Sequence, residues 1–255
     1  MIPPISKVYN QDNKAIKHYP DNHFDLVFID APYGIDAPNM TMGALSKKNK
    51  SKNSTSAAIR LKKAQFSVGS GKLKNRKLNT MKLDWDVKPK KSFWKEAFRI
   101  SKNQIIFGGN YYDLPPTRCI GCWDKVQVWD NFSQWEMIWT SFDAPAFMYR
   151  KSNKGGDNKE LKIHPTQKPP CIYEYLIMKF AKPGDTILDT HLGSGSSRIA
   201  AYKMGFDFYA YEKSKFYFDA QETRFKAHKP MLDQHRNFNQ TTGAIEQQLQ
   251  IFKNP

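Results

Sequence analysis

Two short stretches carry the residue types that could do chemistry. The first is Asp30-Ala31-Pro32-Tyr33-Gly34, which closes the apolar run Phe24-Asp25-Leu26-Val27-Phe28-Ile29. A carboxylate accepts hydrogen bonds, a proline fixes its own φ, and an aromatic ring offers a stacking face. In open α/β sheets ligands bind just outside the carboxyl ends of the strands, so such a corner is well placed for a site. Taken alone, the run reads as a buried strand followed by an ordinary turn. The second stretch is Asp189-Thr190-His191-Leu192-Gly193-Ser194-Gly195-Ser196, with an acid, Glu212, 17 positions after Gly195. Glycines let a ligand approach the backbone, and a helix N-terminus offers N–H groups to an anionic group. An acid about twenty residues further on can hold ribose hydroxyls. The unit points to a nucleoside-containing cofactor. Arg198 stands where a dinucleotide fingerprint needs its third glycine, which argues against NAD. A lone G-x-G is also the tight turn of any α/β protein.

Other motifs carry less. Cys119-Ile120-Gly121-Cys122 is a single C-x-x-C with no second closely spaced ligand pair, so no metal site is expected. Gly69-Ser70-Gly71-Lys72 is not a phosphate-binding loop, because Phe66 takes the place of its first glycine and Leu73 that of its Ser/Thr.

The elements that must position these residues alternate between strand and helix. Strands are predicted over 6–9, 24–30, 104–107, 126–129, 135–140, 146–150, 186–189 and 206–211. Helices are predicted over 15–18, 90–101, 172–180, from the glycine turn to 204, and over 214–228, with a further one over 244–252. This pattern predicts an α/β protein with a largely parallel sheet. The expected organisation is one catalytic domain over 1–229 and a polar tail over 230–255. Within the domain, 36–86 reads as a long basic loop with twelve Lys and Arg between Lys47 and Lys82, and 113–163 is rich in aromatic residues.

The chain has 255 residues and a formal net charge of +16, with 40 Lys and Arg against 24 Asp and Glu. An excess of this size points to a polyanionic partner, nucleic acid before membrane. No apolar run reaches the roughly 18 residues needed to span a bilayer. Met1-Ile2-Pro3-Pro4 does not begin a secretory signal, and three cysteines cannot all pair. These features predict a soluble, cytoplasmic protein.

Four motifs in order resemble those of the S-adenosylmethionine-dependent DNA amino-methyltransferases, specifically the β class, in which the catalytic motif precedes the cofactor motif. Asp30-Ala31-Pro32-Tyr33 is similar to the D-P-P-Y tetrapeptide of that family. Cys122-Trp123-Asp124-Lys125 is similar to its aromatic-W-D-K segment, and His164-Pro165-Thr166-Gln167-Lys168-Pro169 to its H-P-T-x-K-P turn. Residues 189–196 are similar to its D-P-F-x-G-S-G-T loop. Ala31 replaces a proline that contributes mainly backbone, Thr190 another proline, and His191 the usual phenylalanine of the cofactor pocket.

The resemblance implies a Rossmann-like methyltransferase fold with a basic insertion and a small target-recognition region at 113–163. It implies S-adenosyl-L-methionine as cofactor and double-stranded DNA as partner. Asp30 and the backbone at Ala31 and Pro32 would hold the amine of a flipped base, with Tyr33 stacked on that base. Asp30, Asp189 and the loop Gly193, Ser194, Gly195 and Ser196 would surround the cofactor, and Thr166 and Lys168 would hold its methionine end. Glu212 would bind the ribose. Asp12 and Asn13 would read the adenine, although Asp12 is equally the start of an Asx turn. Asp at position 30 leans toward adenine N6 over cytosine N4 as the target. An RNA or small-molecule methyltransferase, or a non-catalytic nucleic-acid-binding protein on this scaffold, stays open. So do a homodimer and a cognate restriction endonuclease as partners.

Overall fold

A computed structural model describes residues 3–35, 86–126, 133–152 and 162–242, with backbone alone at 239–242. Nearly all of the basic stretch 36–86, parts of 113–163 and the helix expected over 244–252 lie outside these residues.

The central strand, β2 (Phe24–Ile29), is apolar at every position except Asp25, and its apolar side chains are at most 1% exposed. Near-continuous hydrophobicity of this kind suits a strand covered on both faces. Around it lie β1 (Ser6–Tyr9), β3 (Ser101–Phe107), β4 (Ile120–Asp124), β5 (Trp135–Thr140), β6 (Phe147–Arg150), β7 (Thr186–Asp189) and β8 (Asp207–Tyr211). They form one sheet in the order β1-β8-β7-β2-β3-β5-β4-β6. Among the described strands only β5 runs against its two neighbours; the other pairings between them are parallel.

Helices cover both faces, as parallel strands require. On one face α2 (Pro170–Phe180) buries Ile172, Tyr173, Leu176 and Ile177 against Leu26, Phe28 and Ile187, beside α3 (Ser196–Lys203). On the other, α1 (Lys91–Arg99) and a 3-10 helix (Asn13–His18) pack Ala97 and Ile16 against Val27, Ile29 and Leu188. Pro170 sits at the first position of α2, where its missing N–H costs nothing. The helix α3 ends in a Schellman motif: Gly205 has φ +82°, its N–H donates to Tyr202 O, and Phe206 N–H donates to Ala201 O.

Two expectations change. The strand expected at 126–129 lies earlier, at 120–124. Val126 has φ +51° and donates its N–H to Asp124 Oδ1 at 2.8 Å, an Asx turn that ends β4; residues 127–129 lie outside the described set. The helix expected over 214–228 is α4, which runs from Lys215 to Thr242 through Pro230. Its buried Phe225 and Leu232 pack with Ile199 and Tyr202 of α3, a contact that outweighs the proline's missing N–H. Residues 230–242 are therefore helix where a tail was expected. The strands β4, β5 and β6, which hold the described part of 113–163, belong to the main sheet.

From β2 the chain crosses through α1 to β3 on one side, while β7 crosses through α3 to β8 on the other. The switch point of the sheet therefore falls between β2 and β7, where a crevice opens beyond the strand ends.

Candidate active site

The two chemical stretches of the sequence emerge side by side at this switch point. Phe28 pairs with Asp189 in register, and Thr190 N–H donates to Phe28 O at 3.2 Å. The last residues of β2 thus lie against the start of the glycine loop.

At the end of β2, Asp30 is held by two donors. Lys168 Nζ lies 2.6 Å from its Oδ2, and Tyr33 Oη donates to its Oδ1 at 3.1 Å. Both donors are shared with Glu136 of β5: Tyr33 Oη lies 2.6 Å and Lys168 Nζ 3.0 Å from Glu136 Oε1. The other oxygen of Glu136 pairs with Lys125 Nζ at 2.9 Å. Two carboxylates and two ammoniums thus form a charge-balanced, largely buried cluster, in which Lys168 and Glu136 are only 5% and 10% exposed. Burial alone would push Glu136 up, but Lys168 and Lys125 hold it down to about 2. Burial pushes Asp30 above the usual carboxylate range, with Lys168 opposing and Glu136 reinforcing the shift.

The backbone of the corner is held as well. Tyr112 Oη donates to Ala31 O at 2.7 Å and lies 3.3 Å from Pro32 O. The ring of Tyr33 stacks on Tyr111 at 4.7 Å, with 17° between the planes. Gly108, with φ +66°, allows this ring to approach, since a Cβ there would sit 2.5 Å from Tyr33.

The glycine loop is built from backbone and hydroxyls. Gly193 and Gly195 have φ +55° and +77°, a conformation L side chains rarely adopt. Glu212, at the end of β8, accepts from Gly193 N–H at 2.9 Å with one oxygen and from Ser214 N–H at 2.7 Å with the other. Ser196 Oγ donates to Lys168 O at 2.6 Å, while Arg224 Nη1 reaches Ser194 O at 2.8 Å and Ser196 Oγ at 2.9 Å. The loop is thereby tied to the segment before α2 and to α4. Asp189 accepts from Ser197 Oγ at 2.5 Å and His191 N–H at 2.8 Å, so it organises the loop from beneath; burial pushes it up to about 7.

The strands β1, β8 and β7 are neighbours, so the loops after them converge. Asn10 Nδ2 donates to Glu212 O at 2.9 Å, and Asn13 Nδ2 lies 2.8 Å from His191 Nε2. Asp12 caps the 3-10 helix through Lys14 N–H at 2.9 Å and pairs with Lys213 Nζ at 3.3 Å, the Asx turn of the alternative reading. Among the expected cofactor residues, Thr166 is exposed and its N–H lies 3.3 Å from His164 Nδ1. The ammonium of Lys168 is turned to Asp30 and Glu136.

Sequence reasoning missed Glu136, Tyr112 and Arg224 and gave Lys125 no role. A single acid inside the apolar strand Trp135-Glu136-Met137-Ile138-Trp139 is the one local signal that could have singled out Glu136.

The fold and this paired site define an α/β enzyme of the Rossmann-like methyltransferase type. The structure superimposes on PvuII DNA methyltransferase (cytosine-N4-specific) with a TM-score of 0.54 and 15% identity, over 92% of this chain and 95% of that one. The type II methyltransferase M.HinfI of Haemophilus influenzae is 32% identical over 74 residues, 29% of this chain; the match spans about a fifth of that relative, 21% of its length. The model of the N6/N4 family of DNA methylases matches residues 44–223, which hold the glycine loop, Lys168, Glu136 and Glu212. The chain belongs to this family.

Proposed function

We propose that this chain is a site-specific DNA methyltransferase that moves a methyl group from S-adenosyl-L-methionine to the N6 amine of an adenine flipped out of duplex DNA. The observation that carries the reading is the placement of Asp30 at the switch point, just past β2, whose Phe28 pairs with Asp189 at the start of the glycine loop. The residues around that loop suit a nucleoside cofactor. Gly193 and Gly195 permit close approach, and Gly195, the N-cap of α3, has no side chain to cap the first turn. The Glu212 carboxylate spends one lone pair of each oxygen on a backbone N–H and keeps others for ribose hydroxyls. Asp12, the cap of the 3-10 helix, and Asn13, its first residue, are assigned to the adenine, and Thr166, in the turn before α2, to the methionine end.

When bound, S-adenosylmethionine supplies a sulfonium-activated methyl group. The protein's task is to place an amine whose lone pair is delocalised into its ring. Asp30 accepts one amine N–H, and a carbonyl at Ala31-Pro32 accepts the other, which draws the nitrogen toward tetrahedral geometry. A charged acceptor makes the stronger hydrogen bond, and it stabilises the positive charge that develops on nitrogen. Pro32 and the Tyr112 hydroxyl fix the backbone that presents these carbonyls. Tyr33 stacks on the flipped base, offsetting part of the unstacking cost. The basic stretch 36–86 serves as a phosphate clamp, weakened by salt, and the loops of 113–163 as target readers.

Asp at position 30, rather than Ser, favours adenine. Cytosine N4 is the second reading, favoured by the cytosine-N4-specific enzyme on which the fold superimposes. Incubation of the protein with S-adenosylmethionine and mixed-sequence duplex DNA, followed by nucleoside mass spectrometry, is expected to yield N6-methyladenine. N4-methylcytosine would move the target to the second reading, and no methylated nucleoside would overturn both.

A further inference from the structure

The Asp30 carboxylate is not idle: it already accepts from Lys168 and Tyr33. An arriving amine must therefore take an acceptor position from one of these donors, and a buried donor left without a partner is costly. Both donors reach a second acceptor without moving. Lys168 Nζ is 2.6 Å from Asp30 and 3.0 Å from Glu136, and Tyr33 Oη is 3.1 Å from Asp30 and 2.6 Å from Glu136. Both contacts with Glu136 fall on the same oxygen, Oε1, while Lys125 occupies Oε2.

Resting on the proposed amine methylation, we propose that Glu136 is a positioning residue for that reaction: it receives the two donors that Asp30 releases when the target amine binds. Glu136 comes from a strand 106 residues beyond Asp30 and acts on the amine only through Lys168 and Tyr33. Lys125 keeps Glu136 anionic and aimed, so that Glu136 shares Lys168 with Asp30 instead of capturing it. The relay Lys125–Glu136–Lys168–Asp30 sets how firmly Asp30 is gripped before the base arrives. Among the described residues, the other titratable groups that act on this cluster include Asp189 at the end of β7, Tyr112, Tyr173 of α2, His164, which faces Lys168, and Lys162, which lies beside Lys125 and Lys168. None of these bridges the two carboxylates.

Two variants have opposite expected effects. In Glu136→Gln the neutral amide can still accept but no longer draws Lys168 by charge, so Lys168 is held mainly by Asp30, and one negative neighbour is gone. The amine then competes against a fixed ammonium, so kcat falls about 10- to 100-fold, the scale of one hydrogen bond to a charged group. Asp30 ionises more readily, so the acid limb of the kcat profile moves to lower pH. In Lys125→Met, Glu136 draws Lys168 away from Asp30, and the acid limb moves to higher pH. Calorimetry with S-adenosylmethionine shows which variants are folded; if Glu136→Gln does not bind it, Lys125→Met carries the test.

Wild-type kcat in a folded Glu136→Gln, or acid limbs that stay in place in the folded variants, would overturn the role of Glu136 while leaving the methylation reading intact. An inactive wild-type protein would remove that reading and this one together. Loss of rate with the two limbs displaced in opposite directions supports the relay, since a merely structural acid would not move them so.

Discussion

The ends of β2 and β7 lie side by side but are built on opposite principles. The β2 corner is a network of ionised side chains in which Asp30, Lys168, Glu136 and Lys125 satisfy one another. The β7 loop uses backbone groups, two left-handed glycines and hydroxyls, organised by the acids Asp189 and Glu212 and by Arg224. Charged groups in low dielectric suit a task in which charge develops, because they strengthen as the nitrogen becomes positive. Backbone and hydroxyl groups suit a task of shape, holding a cofactor whose adenosine part does not react. On the proposed function, the difference would separate a region that sets rate from one that sets affinity.

The sharpest way to break this contrast is Asp30→Ala. Its expected effect is loss of methyl transfer by at least about a thousandfold, with S-adenosylmethionine binding retained; radiolabel transfer and calorimetry measure the two. Full activity would end the assignment of Asp30. Next in size is Gly195→Val. A β-branched residue at φ +77°, with its Cβ 3.2 Å from Gln221, costs about 1–3 kcal/mol of strain. Cofactor affinity is expected to fall about 10- to 100-fold, while kcat at saturating cofactor stays near wild type. A loss confined to kcat would erase the distinction between the two regions.

The smallest effect concerns stability. Burial lowers His191 from 6.5 to about 4, so the unfolded chain binds this proton more readily than the folded one. The neutral ring is the folded form, and its contribution is lost as pH falls from 6.5 toward 4. His164, lowered to about 3 by burial and by Lys168, acts in the same direction. Asp189, raised to about 7, acts oppositely, losing stability as pH rises toward 7. The difference between wild type and His191→Phe isolates one term: the melting temperature of the variant should decline less between pH 6.5 and 4. Parallel melting curves for the two proteins would refute this account of His191.

Strand ends and turn chemistry were legible because they are local. Five apolar residues in the six ahead of Asp30, glycines around Ser194, and Pro169-Pro170 ahead of an apolar helical face each show in a short window. The elements β1, β2, β5, β7 and β8 fall within a residue of their expected ends for that reason. Where a distant contact decides the outcome, the local signal failed. Pro230 reads as a helix stop, yet α4 continues because Leu232 packs on α3. Val126 reads as strand, yet the Asp124 side chain turns the chain there.

The sequence by itself determined that a carboxylate corner and a glycine loop exist and come in the order of the β class. It also determined a strongly basic charge, which follows from composition alone. Only the tertiary structure decided that Glu136 shares two donors with Asp30 and that Lys125 pairs with its other oxygen. The physical reason is sheet topology: β5 runs antiparallel beside β3 and carries Glu136 to the β2 corner, and no property of residues 120–140 alone encodes that meeting.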